Sequence, residues 1–321
     1  MGKSVKFVCY TRLQLFIASR VIKLEKIKKP KVIYIAKSES QEDIIGLKNF
    51  FCEDVEFFYC NIKYKLPFNI IKFYFKFLFL KKRKFDTVYI ASINNILIHY
   101  ILSRISFNSL KTFDDGAANI ISNGQFKAYS KSSRIKKLIE LIFFINWSME
   151  KVKKSSKRHF SIYMGLPNII ENVDYIDAFK VTDQTFKSKQ KESCAILIGS
   201  KYNELLRPQA DASIVKRKAL SYLKENEHHT FYLKHPREQE PAEKCIINSE
   251  LLSELTVIKL LRYYKEIRLY GFFSSCQINL ATNSRVKNFV FNYSQLNDPL
   301  KSEFGKGGLI KKLGFEIINL D

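Results

Sequence analysis

At 321 residues the chain exceeds the usual size of one hydrophobic core, so two domains are expected. Apolar residues make up 46% and aromatic ones 14%, which excludes a disordered chain. The 54 basic and 31 acidic residues give a net charge of +23. Part of that is a general lysine-rich bias. The remainder calls for an anionic partner: a nucleotide, a phosphorylated glycan, nucleic acid or an acidic membrane face. The six cysteines contain no C-x-x-C pair and none stands at zinc-finger spacing from a histidine, so reduced, mostly buried thiols of a cytoplasmic protein are expected. Residues 1–10 lack the long apolar core of a signal peptide, and no apolar run approaches the ~20 residues that a membrane span needs.

In chain order, Val5 to Tyr10 reads as a first strand. Leu13, Phe16, Ile17, Val21 and Leu24 then recur at helical spacing, Pro30 stops the helix, and Lys31 to Ala36 gives a second strand. Strand, helix and strand with tight links is the pattern of a parallel α/β sheet. A helix over 41–50 and a strand over Val55 to Tyr59 follow. Residues 68–84 are apolar and aromatic and end in a cluster of lysines and arginine. That composition suits a helix packed on the sheet with snorkelling lysine stems, or a segment lying on an anionic membrane. Thr87 to Ala91 is a strand, 96–105 a helix, and a strand over Leu110 to Phe113 delivers Asp114-Asp115-Gly116 at its carboxyl end. Residues 133–146 read as a helix, 151–158 as a solvated basic loop, and His159 to Met164 and Val173 to Phe179 as strands.

The polar stretch 180–193 lacks periodicity and reads as a linker. A second α/β pattern starts with the apolar strand Cys194 to Ile198, followed at once by Gly199-Ser200. A polar helix over about 208–226 leads to the strand Thr230 to Lys234 and then His235-Pro236-Arg237. Ile267 to Tyr270 is a strand, followed by Gly271-Phe272-Phe273-Ser274-Ser275 and a helix; 288–293 is another strand, and Lys306-Gly307-Gly308 opens a terminal helix or loop. The expected architecture is α/β, with two Rossmann-like domains, 1–180 and 194–321, joined by a linker over 181–193 and facing a central cleft.

Asp114 and Asp115 are adjacent carboxylates, which raise each other's pKa and bring one towards the range of a general base. Gly116 permits a sharp turn or a close ligand. Asp-Asp-Gly is also ordinary turn chemistry. Open α/β sheets, however, bind ligands beyond the carboxyl ends of their strands, where this motif stands. Gly199-Ser200 and Ser274-Ser275 occupy strand-to-helix turns, suited to phosphate binding at a helix N-terminus or to plain N-capping. His235, between Lys234 and Pro236-Arg237, is placed to meet a phosphate or to protonate a leaving group, or is a surface histidine at a strand end. His99, His159, His228 and His229 read as structural or exposed. No P-loop, H-E-x-x-H, G-x-S-x-G or G-x-G-x-x-G is present, and no D-x-D pair accompanies Asp114-Asp115, so neither metal nor cofactor is implied.

In order, the set Cys9-Tyr10-Thr11 with Leu13-Gln14, Val88 to Ser92, Thr112 to Gly116, Trp147-Ser148, Gly165-Leu166 with Asn168-Ile169, Leu197 to Ser200, His235-Pro236-Arg237 and Phe272-Phe273-Ser274 resembles the bacterial sialyltransferases of glycosyltransferase family 52, typified by lipooligosaccharide α-2,3-sialyltransferases. The resemblance implies a GT-B-type fold, CMP-sialic acid as donor, a galactose-terminated glycolipid as acceptor, inversion at the anomeric carbon, no obligatory metal and a homodimer held in the cytoplasm or at the inner membrane face. It places His235 on the departing CMP phosphate, with Ser274, Ser275, Gly199, Ser200, Pro236 and Arg237 around the donor. Gln14, Asp114, Gly116 and Asn168 then fall on the acceptor side. The base is Asp115, or Glu204 in Lys201-Tyr202-Asn203-Glu204, where the family carries an aspartate. A transferase of another CMP-linked sugar acid and a basic nucleic-acid-binding protein are the competing readings. No RRM, HTH or KH pattern supports the latter, so no nucleic-acid partner is expected.

Overall fold

A computed structural model of the protein describes residues 4–36, 39–51, 54–61, 84–120, 134–180, 191–235, 238, 246–247 and 251–321. The chain divides into two compact units, Met1–Ala178 and Phe179–Asp321. The first is built on β1 (Val5–Cys9), every residue of which is buried. Thr11 then caps α1 (Arg12–Leu24) by accepting a hydrogen bond from the Gln14 backbone N–H. The helix buries Leu15, Phe16, Ile17, Ala18, Val21 and Ile22. Leu24, expected on that face, is instead 55% exposed, as the final residue of the helix.

β2 (Lys31–Ala36), α2 (Gln41–Lys48), β3 (Glu56–Asn61), β4 (Lys84–Ile90), α3 (Ile96–Arg104) and β5 (Ser106–Phe113) continue the alternation. A 3₁₀ turn over Gly116–Asn119 follows. Then come α4 (Arg134–Ile142), α5 (Met149–Ser155), β6 (Ser156–Ser161) and β7 (Val173–Tyr175). All pairings are parallel, in the order β3-β2-β1-β4-β5-β6-β7. The stretch 151–158, expected as a basic loop, is instead the end of α5 and the start of β6. One apolar residue, Val152, anchors it by full burial, while Ser148 caps α5 by accepting from the Lys151 N–H.

The second unit repeats the plan. It contains β8 (Lys191–Ile198), α6 (Tyr202–Leu205), α7 (Ala212–Asn226), β9 (Thr230–Leu233), β10 (Ile246–Ile247), α8 (Ser253–Leu260) and β11 (Tyr264–Gly271). It ends with α9 (Ser275–Asn279), β12 (Val286–Asn292), α10 (Asp298–Ser302), α11 (Leu309–Lys312) and β13 (Glu316–Asn319). The order is β10-β9-β8-β11-β12-β13, again all parallel. β8 starts at Lys191, inside the stretch that reads as a linker, because its first turn of strand is a polar end: Glu192 pairs with Lys265 at 2.6 Å.

Among the described residues Cys9, Cys60, Cys194 and Cys276 are buried free thiols. No described helix is long and apolar enough to cross a membrane. Residues 68–83, Cys52, Cys245, Pro236, Arg237 and most of the expected linker lie outside the described residues.

Candidate active site

In open parallel sheets the binding crevice opens beyond the strand carboxyl ends, at the point where strand order reverses. In the first unit that point lies between β1 and β4, and in the second between β8 and β11. Gln14 and Ser92 flank the first point and Gly199 and Ser274 the second, with Asp115 after β5 and His235 after β9, one strand further out.

In the first unit three strand ends converge on one carboxylate. Gln14, fully buried in the first turn of α1, accepts from the Tyr10 backbone N–H at 2.6 Å. Its amide donates to Ser92 Oγ at 2.8 Å, beyond β4, and to Asp115 Oδ1, beyond β5. The Ser92 hydroxyl also hydrogen-bonds Asp115. Asp115 is partly exposed, so a ligand can reach it, and its pKa is raised above the ordinary carboxylate value. Burial is the main cause; the bonds from Ser92 and Gln14 pull the other way, and the neighbouring Asp114 charge raises it least. The adjacent-carboxylate argument thus has the direction right and the dominant cause wrong. Below this site Cys9 is held as the neutral thiol by its own burial and then by the Asp115 charge.

Asp114, expected on the acceptor side, has instead a carboxylate turned into the protein and fully buried. It accepts from His159 Nε2 at 2.9 Å, Ser161 Oγ at 2.8 Å, the Ile162 backbone N–H at 2.7 Å and Asn168 Nδ2 at 3.3 Å. Hydrogen bonds to a charged group contribute about 1.5–3 kcal/mol each. Four of them offset the several kcal/mol that burying a carboxylate costs. His159, also fully buried, is oriented from its other side by Thr112 Oγ1, 2.9 Å from Nδ1. Asp114 therefore ties the end of β5 to the end of β6, and Asn168 meets Asp114 rather than Asp115. Gly116, at φ +63°, turns the chain directly after the pair in a conformation that disfavours a side chain.

In the second unit, β9 runs into a turn that starts at His235 and closes where the Glu238 N–H reaches the His235 carbonyl at 3.0 Å. The Glu238 carboxylate accepts from Lys216 Nζ at 2.6 Å and from Tyr232 Oη at 2.7 Å, and lies 3.4 Å from the His235 N–H. This turn presses on the end of β8. A Cβ on Gly199 would lie 2.7 Å from His235 N and 2.9 Å from both Glu238 Oε2 and Tyr232 Oη. Gly199 is thus required by the approach of the His235 turn, a reason that the strand-end reading did not supply. Ser200 is largely buried, and the helix expected to start there is the single turn α6, which begins at Tyr202.

Ser274 is the N-cap of α9 in a reciprocal capping box: its Oγ accepts from the Gln277 N–H at 3.2 Å, and Gln277 Oε1 accepts from the Ser274 N–H at 3.0 Å. Gln277 also donates to the carbonyls of Leu269 and Phe289, which fixes the cap to β11 and β12. A capping serine accepts with its lone pairs and keeps its own proton to donate. The one-turn length of α9 leaves little macrodipole behind it. Ser275 is exposed beside it. Glu204, the alternative carboxylate, has a side chain 66% exposed and ion-paired with Lys201.

Sequence reasoning missed Ser161 as a support of Asp114, and Tyr232, Lys216 and Glu238 as supports of His235, since lone polar residues carry no local signal; His159, read as structural or exposed, is the buried partner of Asp114. Ser92, which closes the Val88–Ser92 motif, and the singled-out Gln14 and Asn168 were the legible supports. Gly199→Ala is expected to displace the His235 turn and lower turnover at least about tenfold. Near-UV and far-UV circular dichroism would retain the folded signal, and unchanged kinetics would show that the turn tolerates the added methyl.

The chain matches the model of glycosyltransferase family 52 over residues 24–292. It is 30% identical over 285 residues to the CMP-N-acetylneuraminate:beta-galactoside alpha-2,3-sialyltransferase of Pasteurella multocida (strain Pm70), covering 86% of this chain and 87% of that protein. An N-acetyllactosaminide alpha-2,3-sialyltransferase of Haemophilus influenzae is 29% identical over 204 residues, 63% of each chain. Among solved structures it is similar to the S. aureus MnaA–UDP co-structure, with a TM-score of 0.53 and 14% identity over 94% of this chain and 82% of that one. The glycosyltransferase SnogD from Streptomyces nogalater gives a TM-score of 0.52 and 10% identity over 100% of this chain and 88% of that one. These likenesses show the fold: it is GT-B-type, built of two Rossmann-like units. The protein belongs to glycosyltransferase family 52.

Proposed function

We propose that the protein is an inverting sialyltransferase that moves sialic acid from CMP-sialic acid to the terminal galactose of a cell-surface glycan, a lipooligosaccharide or a capsule. The observation that carries this reading is the similarity to the Pasteurella enzyme over 86% of the chain. The family match also spans Asp115, Gly199, His235 and Ser274, which follow β5, β8, β9 and β11.

The chemistry assigns each group a task. As the bond from the anomeric carbon to the CMP phosphate breaks, positive charge develops on the sugar and negative charge on the departing phosphate. His235, held by the Glu238 turn, donates to that phosphate, and the Ser274 and Ser275 hydroxyls donate beside it. The acceptor oxygen bonds to the anomeric carbon from the opposite face, which inverts it, and its proton passes to a carboxylate. Asp115 suits that task better than Glu204. Its raised pKa makes the ionised form the stronger base, and Gln14 and Ser92 fix its direction. Glu204, ion-paired and two-thirds exposed, is neither desolvated nor oriented in this way. A donor bearing a phosphate and a carboxylate suits a protein of charge +23.

With CMP-sialic acid and a β-galactoside, Asp115→Asn is expected to reduce kcat by about 10²–10⁴-fold with little change in the donor KM, while Glu204→Gln keeps most of the activity. The opposite pattern assigns the base to Glu204, and absence of CMP release from the unaltered enzyme sinks the sialyltransferase reading itself. Folding disfavours the ionised form of Asp115, so it opposes stability at pH values above its raised pKa. Asp115→Asn should accordingly leave the unfolding midpoint at pH 7 unchanged or higher, where a drop would mean that the carboxylate supports the fold.

The acid limb of kcat/KM should lie above the ordinary carboxylate range, because activity is lost as pH falls through the raised pKa of Asp115. Ser92→Ala removes a bond that favours the ionised form and should move that limb to higher pH. A limb that stays in place would separate Asp115 from the rate.

A further inference from the structure

A carboxylate taken wholly out of water calls for a counter-charge. Asp114 is fully buried, and three of its four hydrogen-bond donors, Ser161 Oγ, the Ile162 N–H and Asn168 Nδ2, are neutral. The cations that flank it on β5 and β6 are engaged elsewhere: Lys111 and Arg158 pair with Glu25 at 2.6 and 3.5 Å, and Arg158 also with Asp174 at 2.9 Å. The fourth donor, His159 Nε2 at 2.9 Å, belongs to the one group bonded to the Asp114 carboxylate that can carry positive charge.

The directions of the hydrogen bonds around the ring count its protons. Ser156 Oγ lies 3.1 Å from the Arg158 carbonyl, which only accepts, so the serine proton is spent there. Thr112 Oγ1, 2.8 Å from Ser156 Oγ, then supplies the proton of that bond, and a hydroxyl has no second one. The other contact of Thr112 Oγ1, 2.9 Å to His159 Nδ1, is therefore made by a proton on the ring. With Nε2 donating to Asp114, both ring nitrogens are donors, which is the imidazolium. A neutral ring leaves one of these four contacts between two lone pairs. The remaining neighbours are uncharged: Asn119 Nδ2 stands 3.4 Å from Nε2, too far to set a proton direction, and the ladder partner on β7 is Val173. Asp115 lies beyond Asn119, whose Oδ1 accepts the Asp115 N–H at 3.2 Å. We propose that His159 is a buried imidazolium that neutralises Asp114, and that through this pair it is a positioning residue for Asp115, keeping a second negative charge from bearing on the base. The role at Asp115 rests on the proposed transfer reaction; the charge state of the pair does not.

The ring state is read on the full chain without substrate, by long-range proton–nitrogen NMR correlation with isotope-labelled histidine. The chain has five histidines, and His159→Gln identifies the signal by its loss. Thr112→Val, which removes only the partner of Nδ1, identifies the same ring if the first variant does not fold. At pH 7 both His159 nitrogens are expected at the imidazolium position, each bearing a proton. A ring protonated on one nitrogen alone would overturn the proposal, whatever reaction the protein catalyses. In His159→Gln the amide still donates to Asp114 but brings no charge. With CMP-sialic acid and a β-galactoside, the acid limb of kcat/KM in that variant should move to higher pH by roughly half a unit, because the unpaired Asp114 charge disfavours ionised Asp115. A limb that stays in place in the folded variant would overturn the positioning role, since loss of a merely structural bond lowers the rate without moving the profile.

Discussion

Placement of the candidate site residues depends on one constraint of parallel sheets. Every strand in β3-β2-β1-β4-β5-β6-β7 and in β10-β9-β8-β11-β12-β13 runs the same way, so all their carboxyl ends gather on one edge of each sheet. Successive connections leave in opposite directions where strand order reverses, and the loops there part. Polar groups on the loops after β1, β4 and β5 can then meet one another instead of being covered, as Gln14, Ser92 and Asp115 do. The second sheet repeats the arrangement with Gly199 after β8, His235 after β9 and Ser274 after β11.

Asp115, His235 and Ser274 are each held by a polar neighbour whose bonds tie down the segment around it. Asp114 fastens β5 to β6 through His159, Ser161 and the Ile162 amide, and so fixes the backbone from which Asp115 projects. Glu238 does the same for His235 through Tyr232 and Lys216, and Gln277 for Ser274. The division of labour within Asp114-Asp115 arises just beyond β5: Asp114, whose N–H bonds the Phe160 carbonyl, has its carboxylate buried, while Asp115 opens the following 3₁₀ turn and is left reachable.

This also explains what the sequence could and could not disclose. Apolar runs such as Val32 to Ala36 and Cys194 to Ile198 were legible as strands because both faces of a parallel sheet are covered. Gly199, His235 and Ser274 were legible as strand-end positions. The polar end of β8 and the lysine-rich join of α5 and β6 were not, since lysine stems cover apolar surface while their charges mark the segment as solvated. Neither was β13, whose Glu316-Ile317-Ile318-Asn319 is a half-exposed edge strand after a one-turn helix. Which aspartate is buried, and why position 199 is glycine, are facts about contacts between segments far apart in the chain. No local pattern encodes them.

The central claim is that Asp115 takes the acceptor proton while His235 and Ser274 receive the departing phosphate. A crystal structure with an unreactive CMP-sialic acid analogue and a β-galactoside tests it most directly. The account predicts the acceptor hydroxyl within hydrogen-bond distance of Asp115, about 2.6–3.2 Å, and the phosphate bonded to His235 and Ser274. An acceptor hydroxyl on Glu204, or a phosphate remote from His235, would contradict it.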